Sequence, residues 1–393
     1  MIIEICPAWR DIGIESSAKY LGFYLGPGAG ERSWDKPLDK YVRRASFWSS
    51  TGLGMNLNLV IYRPFIASVL TFVMQLEPDV DRVQKCFEEV LRKLASGPGN
   101  WVSVGDLCNL QSAYLFPTEF ILPRFTSLAA KLRVICTVAP DCEEIARKMA
   151  SLPLDYGRRP FPQWHLRCYF TVLADTQKHL RDHNITVERV MRESGERGVS
   201  FQSVAEKLVK QVLAERYFRD SRIRAKLFDW RFDILPGHLE TRVMSRIRTV
   251  KENCPPRVLA VYFRSLWNGW VTYSRMKMLL APRPCVLGCG WVDDDLGHYV
   301  CCGLYWSFIC RPRPGGLGVT AATRSKDSGL LLSSELGEQD VIRLAAGLYA
   351  LYRTVNFYRF AGHTPTPQGV TKLLRAFSRR ALENSASFKL LLP

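Results

Sequence analysis

Cysteine and histidine crowd into one short stretch of the chain. Three residues separate Cys285 from Cys289, and after eight more comes His298, followed by Cys301 and Cys302. Two close thiols, a spacer able to turn back and a histidine with a cysteine behind it can give four ligands to one tetrahedral Zn²⁺. The alternative is a set of ordinary buried thiols, since free cysteine is often buried. The spacing predicts a zinc site formed by Cys285, Cys289, His298 and Cys302, with Cys301 as the competing fourth ligand.

The predicted zinc site is structural. Gly288, Gly290 and Gly297 supply the backbone freedom that wrapping around an ion requires, because glycine enters positive φ at no steric cost. Four protein ligands leave no coordination position for water or substrate. We therefore expect the metal to hold the fold and to take no part in chemistry.

Composition indicates a globular, basic protein. The 393 residues are 47% hydrophobic and 23% charged, and 54 Lys and Arg against 37 Asp and Glu give a net charge of +17. Such a surplus suits a polyanionic partner. Twelve scattered cysteines and an N-terminus without a basic and then apolar run predict an intracellular protein, in nucleus or cytoplasm, that is not secreted.

Helical periodicity dominates from Pro37 onward, so the predicted fold class is mainly α with a short N-terminal β-hairpin. The hairpin pairs residues 11–14 with residues 19–25. The apolar run 57–76 contains Arg63, which favours a buried helix at the centre of a bundle over a membrane span. The other helices are predicted at residues 38–50, 80–95, 124–137, 141–151, 164–184, 186–194, 257–280, 339–361 and 366–383.

Positive charge concentrates in residues 201–280. Arg219, Arg222 and Lys226 recur on one helical face, and Arg242 and Arg246 do the same one helix later. The aromatic residues interleaved with them could stack on unpaired bases; they are Tyr217, Phe218, Phe228, Trp230 and Phe232. We predict an RNA-binding or DNA-binding groove here. The alternative is an aromatic core with a solvated arginine rim.

Motifs of known enzymes are absent from the sequence. It contains no Gly-x-Ser-x-Gly, no His-Glu-x-x-His and no phosphate-binding loop, because Glu31 follows the glycines of residues 26–30 where such a loop needs lysine. Asp293, Asp294 and Asp295 are interpreted as a loop that offsets its basic surroundings. We therefore predict no catalytic residue, no small-molecule substrate and no membrane partner.

Two motifs together resemble the C-terminal portion of a non-LTR (LINE-type) retrotransposon reverse transcriptase. Residues 17–22, Ser-Ala-Lys-Tyr-Leu-Gly, are similar to the hairpin at the end of the family's palm, and the following helices to its thumb. Pro255-Pro256-Arg257, leading into the Cys/His stretch, resembles the family's downstream zinc-binding element. The resemblance implies primer-grip positions at Lys19, Tyr20, Leu21 and Gly22, and metal ligation by the four residues above.

The same resemblance implies a fragment of the polymerase. The family's catalytic aspartates lie upstream of the motif at residues 17–22, so we expect a nucleic-acid-binding remnant without the polymerase centre. The predicted segments are a palm-end hairpin (1–36), a thumb-like bundle (37–152), a basic helical connector (153–280), a zinc loop (281–312) and a linker with closing helices (313–393). The alternatives are a helical protein-interaction scaffold with structural zinc, and part of an active polymerase whose upstream half lies elsewhere.

Overall fold

The structure is a computed structural model that describes residues 15–26, 28–138, 141–151, 162–232, 236–276, 284–290, 293–310 and 324–383. These residues fall into two compact units, and each unit is built from three stretches of chain. The first unit draws on Met1–Thr51, Ile61–Lys93 and Ile121–Glu215, and the second on Gly52–Val60, Leu94–Phe120 and Arg216–Pro393. The five segments predicted from the sequence were, in contrast, each continuous along the chain.

The described residues are mainly α-helical, which confirms the predicted fold class. The helices, in chain order, are α1 Asp35–Ser50, α2 Gly54–Ile61, α3 Asp81–Leu94, α4 Val104–Cys108, α5 Leu110–Tyr114, α6 Pro123–Val138, α7 Cys142–Ser151, α8 Pro162–Asp182, α9 Val187–Arg197, α10 Phe201–Leu213, α11 Arg219–Leu227, α12 Pro236–Asn253, α13 Pro256–Leu266, α14 Leu296–Cys301, α15 Gly303–Ile309, α16 Lys326–Gly329, α17 Glu338–Phe360 and α18 Pro367–Leu382. Apart from 57–76 and 257–280, every predicted helix is found to within three residues at each end.

One antiparallel hairpin joins β1 Ala18–Tyr20 to β2 Phe23–Leu25, with Lys19 opposite Tyr24. A short N-terminal hairpin is therefore confirmed, but the single strand predicted over residues 19–25 is wrong. Leu21 and Gly22 have φ of 46° and 98°, and this left-handed backbone makes the turn. The other predicted strand, 11–14, lies outside the described residues.

The continuous helix predicted over residues 57–76 is also wrong. Helix α2 ends at Ile61, residues Tyr62–Ile66 form one π-helical turn, and short 3₁₀ turns follow. Pro64 accounts for the break, because it has no N–H to donate and its ring clashes with the preceding turn. Phe65 and Phe72 are each about half exposed, so the run is not buried on all sides.

In the first unit, α6 packs against α8 and α10 around a common apolar core. Leu132, Ile135, Leu173, Val190 and Val209 are at most 1% exposed in it. These positions follow the helical spacing of each segment, so each helix turns one apolar face to its neighbours.

In the second unit, α13 is the most deeply buried helix. All residues from Val258 to Trp267 are buried, and α17 packs against both α13 and α18. The helix predicted over residues 257–280 stops at Leu266, since Asn268 has a φ of 50° and the N–H of Gly269 closes back onto Arg264 O at 2.8 Å. Residues 277–280 lie outside the description. Within the described ranges, no helix combines the length and the apolar character that a membrane crossing requires.

Candidate functional site

Cys285, Cys289, His298 and Cys302 come together in the second unit. One ligand atom from each lies within 4.8 Å of all the others, and Cys289 Sγ is 3.3 Å from His298 Nε2. Ligands on a tetrahedral ion at about 2.0–2.3 Å are roughly 3.3–3.8 Å apart. Small side-chain movements would therefore let these four residues hold one metal ion.

A glycine turn places the first two ligands. The N–H of Gly288 donates to the carbonyl of Cys285 at 3.0 Å, and Gly288 and Gly290 have φ of 79° and 83°. A side chain would strain both positions, because L-residues rarely adopt this backbone. The turn reverses the chain, so Cys289 returns beside Cys285.

A short helix places the other two ligands. Asp295 caps α14 by accepting a hydrogen bond from the N–H of His298 at 2.8 Å. Cys301 is the last residue of this helix, whereas Cys302 is extended, with φ −60° and ψ 132°, and is fully buried. The change of backbone direction at Cys302 turns its thiol into the cluster, and Cys301 is not part of it.

The buried thiols of Cys285 and Cys302 are hydrogen-bonded to each other, and this bond changes the pKa of both. A hydrogen bond between the two buried thiols lowers the pKa of Cys302 and raises the pKa of Cys285. Backbone N–H groups of Tyr305 and Leu304 lower the pKa of Cys302 further. Burial, in contrast, raises the pKa of Cys301. Metal binding releases thiol protons, and the lower pKa makes the Cys302 thiol readier to lose its proton than the Cys285 thiol.

A buried carboxylate ties both halves of the cluster to the core. Asp294 is 1% exposed and accepts hydrogen bonds from the N–H of Tyr273 at 2.8 Å, Tyr299 OH at 2.6 Å and Arg359 Nη2 at 2.6 Å. Tyr299 OH accepts from the N–H of Val286 at 3.2 Å. Asp294 thus offsets the charge of one cation, the buried Arg359, and its hydrogen bonds also hold the core, which the interpretation as a charge-offsetting loop did not include. No local pattern could have shown this, because Arg359 lies far along the chain.

The predicted nucleic-acid contacts fall in three places. Lys19 and Tyr20 lie on β1 in the first unit, both exposed. The remaining five belong to the second unit: Arg219, Arg222 and Lys226 on α11, and Arg242 and Arg246 on α12.

Two of the three predicted cations on α11 bind groups elsewhere in the second unit. Arg222 Nη2 is 2.9 Å from the fully buried carboxylate of Asp106. Lys226 Nζ donates to the carbonyls of Asn100 and Trp101 at 3.1 and 3.0 Å. Arg219 pairs only with the exposed Asp220 beside it in sequence. Arg219 therefore has the fewest internal contacts of the three.

The two arginines of α12 bind backbone carbonyls. Arg242 Nη1 donates to Leu332 O at 3.1 Å, and Arg246 Nη2 donates to Ser333 O and Leu336 O at 3.0 and 3.2 Å. Buried carbonyls need such donors, because an unpaired one costs about as much as a lost hydrogen bond. Their observed contacts are thus structural, and a role for them in nucleic-acid binding stays a prediction.

The aromatic residues of this region divide between core and surface. Trp230 is 8% exposed and its indole N–H donates to Leu266 O, and Tyr217 OH donates to Asp106. Phe218 and Phe228 are 57% and 80% exposed, immediately before and after α11. Two rings next to α11 are therefore exposed to solvent.

Comparison with protein families, with curated proteins and with solved structures finds no match to the chain. The resemblance of residues 17–22 and of the Cys/His stretch to LINE-type reverse transcriptases stays a prediction. What the protein does has to be argued from the Cys/His cluster and from the basic surface of the second unit.

Proposed function

We propose that the protein is a zinc-stabilised nucleic-acid-binding protein, related to the C-terminal portion of a LINE-type reverse transcriptase. Three thiols and one imidazole form the usual donor set of structural zinc. Such a site closes all four positions, so the metal contributes to folding. Metal analysis of the purified protein should find one zinc per chain, and its removal by a chelator should lower the melting temperature.

The observation that carries nucleic-acid binding is the composition of the α11 surface. Exposed Phe218 and Phe228 flank the helix, and the side chain of Arg219 is 40% exposed on it, whereas Arg224, 62% exposed, pairs with the buried Glu240. The guanidinium of Arg216 lies 4.9 Å from the centre of the Phe218 ring. Rings that stack on bases beside cations that contact phosphates are the means by which proteins bind single strands.

Fluorescence anisotropy with single-stranded RNA over a range of salt concentrations tests this proposal. Replacing both Phe218 and Phe228 with alanine should weaken binding by about 1–3 kcal/mol for each stacked base. The slope of log K against log salt should stay unchanged, because no charge is lost. Phe360, 71% exposed on α17 in the same unit, provides the matched control as Phe360→Ala. Equal effects of the control and the double variant would contradict the proposal.

A protein-interaction scaffold is the second candidate. Its support is an apolar cavity of about 710 Å³ in the first unit, lined by the hairpin residues Tyr20 and Leu21 together with Phe72. These three side chains are 63%, 72% and 51% exposed. The RNA titration separates the two functions, since a scaffold would retain no RNA at physiological salt. Primer extension tests the remaining alternative, a polymerase, and should show no incorporation.

A further inference from the structure

Basic side chains surround a cavity of about 720 Å³ in the second unit. Arg222, Lys226, Arg275 and Lys326 line it, from α11, the 3₁₀ turn Tyr273–Arg275 and α16. Among the described lining residues, Asp295 is the one carboxylate. Local sequence patterns do not predict this grouping, because the four cations are spread over more than a hundred residues.

The charges of this cavity do not cancel. Asp106 already balances Arg222, and Asp295 accepts the N–H of His298 at the start of α14. Lys226 and Lys326 have no carboxylate within ion-pair distance among the described residues, and the same is true of Arg275. Three cations and a single carboxylate in one cavity repel one another more than they attract, which costs free energy. A bound anion would reduce this repulsion.

Donors remain free on these cations. An ammonium has three N–H groups and a guanidinium five. Lys226 gives two of its three to the carbonyls of Asn100 and Trp101, and Arg275 gives one to Gly99 O at 3.3 Å. Burial lowers the pKa of Lys226, and Arg222 and Arg275 lower it further against the opposite effect of Asp106. The positive charges of Arg222 and Arg275 thus act on the ammonium group of Lys226.

Two tryptophans in the cavity wall limit what the ligand can be. Trp230 and Trp267 are 8% and 1% exposed, so they present no open ring face to a base. The buried indole N–H of Trp267 has no hydrogen-bond partner among the described residues. The wall offers donors and positive charge, and it lacks the exposed rings found beside α11. It therefore suits recognition of an oxyanion, not of a base.

We propose that this cavity binds phosphate groups. This role rests on the proposed function. The backbone phosphate or terminal phosphate of a bound strand would lie in the cavity, while the bases stack on the rings beside α11. Phosphate oxygens match several convergent N–H donors, and such charge-assisted hydrogen bonds are the strong ones. Inorganic pyrophosphate presents the same chemistry without a strand.

Lysine acetylation followed by mass spectrometry tests the cavity residue by residue. The intact protein is labelled alone, with pyrophosphate, with single-stranded RNA ending in a 5′-hydroxyl, and with the same RNA carrying a 5′-phosphate. Lys226 and Lys326 should react several-fold more slowly when ligand is bound. Lys251 and Lys372, exposed in the same unit and outside the cavity, serve as internal controls.

A charge-removing variant completes the test. Lys326 is exposed and donates no side-chain hydrogen bond to the residues that the structure describes, so Lys326→Gln should fold normally, and Arg275→Gln joins it to remove two charges. The pair should weaken pyrophosphate binding at least roughly tenfold and reduce the salt slope for RNA by about 1.4, which is two phosphate contacts at 0.7 each. The control pair is Lys251→Gln with Lys372→Gln, which removes the same charge elsewhere.

The outcomes separate this inference from the proposed function. Protection by pyrophosphate, together with no RNA binding in the anisotropy titration, supports the cavity and contradicts the proposed function. Protection by either RNA supports both, and a difference between the two RNAs identifies the terminal phosphate as the ligand. RNA that binds without protecting Lys226 and Lys326, together with an ineffective Lys326→Gln and Arg275→Gln pair, overturns the cavity and leaves the proposed function standing.

Discussion

The charge of Asp294 should be essential to the second unit, although its neighbour Asp293 is dispensable. The side chains of Asp294 and Arg359 are 1% and 3% exposed, with Oδ1 and Nη2 2.6 Å apart. Asp294→Asn keeps an acceptor oxygen for the Tyr299 hydroxyl but removes the negative charge. Nε and Nη1 of Arg359 are buried without a hydrogen-bond partner, so no other described group compensates the cation.

The expected loss follows from that burial. Breaking a buried ion pair by removing one partner costs about 3–5 kcal/mol, because the remaining charge stays in a poorly polarisable interior. A unit of this size shifts its melting temperature by about 2–4 °C for each kcal/mol, so Asp294→Asn should melt about 6–20 °C below the unsubstituted protein. Circular dichroism on heating and urea unfolding measure both quantities. Asp293→Asn, at an exposed position, should stay within about 0.5 kcal/mol.

A second substitution checks the cause. Adding Arg359→Met to Asp294→Asn removes the orphaned cation, and an apolar replacement of a buried pair is often close to neutral. The double variant should therefore recover much of the lost stability. If Asp294→Asn unfolds within about 0.5 kcal/mol of the unsubstituted protein, the argument from an uncompensated Arg359 is refuted.

The remaining two predictions concern Cys302 and Asp106. Cys302→Ser should abolish metal binding, because this thiol belongs to the cluster, whereas Cys301→Ser should leave one metal per chain by mass spectrometry; equal metal loss in both variants would contradict the assignment of the fourth ligand. Burial raises the pKa of Asp106, but hydrogen bonds from Arg222, Tyr217 and Ser103 outweigh it and leave the pKa below its ordinary value. The stability that this carboxylate contributes is therefore fully present above the ordinary aspartate pKa of about 3.9 and disappears as pH falls through the lower folded-state pKa. Asp106→Asn should melt lower at neutral pH and lose less stability on acidification below about pH 4 than the unsubstituted protein; parallel curves would refute this.

Local patterns in the sequence predict most of the helices. Apolar periodicity places α3 and α17 to within one residue at each end, since this signal lies within the helix itself. The predictions are wrong where one or two residues interrupt a segment whose composition favours a continuous helix or strand. Pro64 interrupts an apolar run, and the left-handed backbone at Leu21 and Gly22 splits an apparent strand. Apolar content alone cannot locate such breaks.

Some residues of the candidate site could likewise be predicted from local sequence patterns, and others could not. The four ligand residues could be predicted because they lie within eighteen residues and glycines between them allow the turn. Asp294 and Asp106 could not be predicted, because Arg359 and Arg222, which neutralise them, are remote in sequence. A charged residue in a loop looks solvated until its distant partner is known.

Much of the positive charge in the second unit supports the fold. Arg242 and Arg246 hold carbonyls of residues 332–336, Arg264 holds those of Ser96 and Gly269, and Arg257 holds that of Arg380. Each of these guanidinium groups donates to a backbone carbonyl, and such charge-assisted hydrogen bonds are strong. A guanidinium held in this way keeps its charge and still contributes to the net charge of +17, but fewer of its N–H groups remain for direct contacts with phosphate. The salt dependence of binding should therefore follow the less committed cations of α11 and of the cavity, among them Arg219, Arg275 and Lys326, while loss of the carbonyl-binding arginines should appear first in stability.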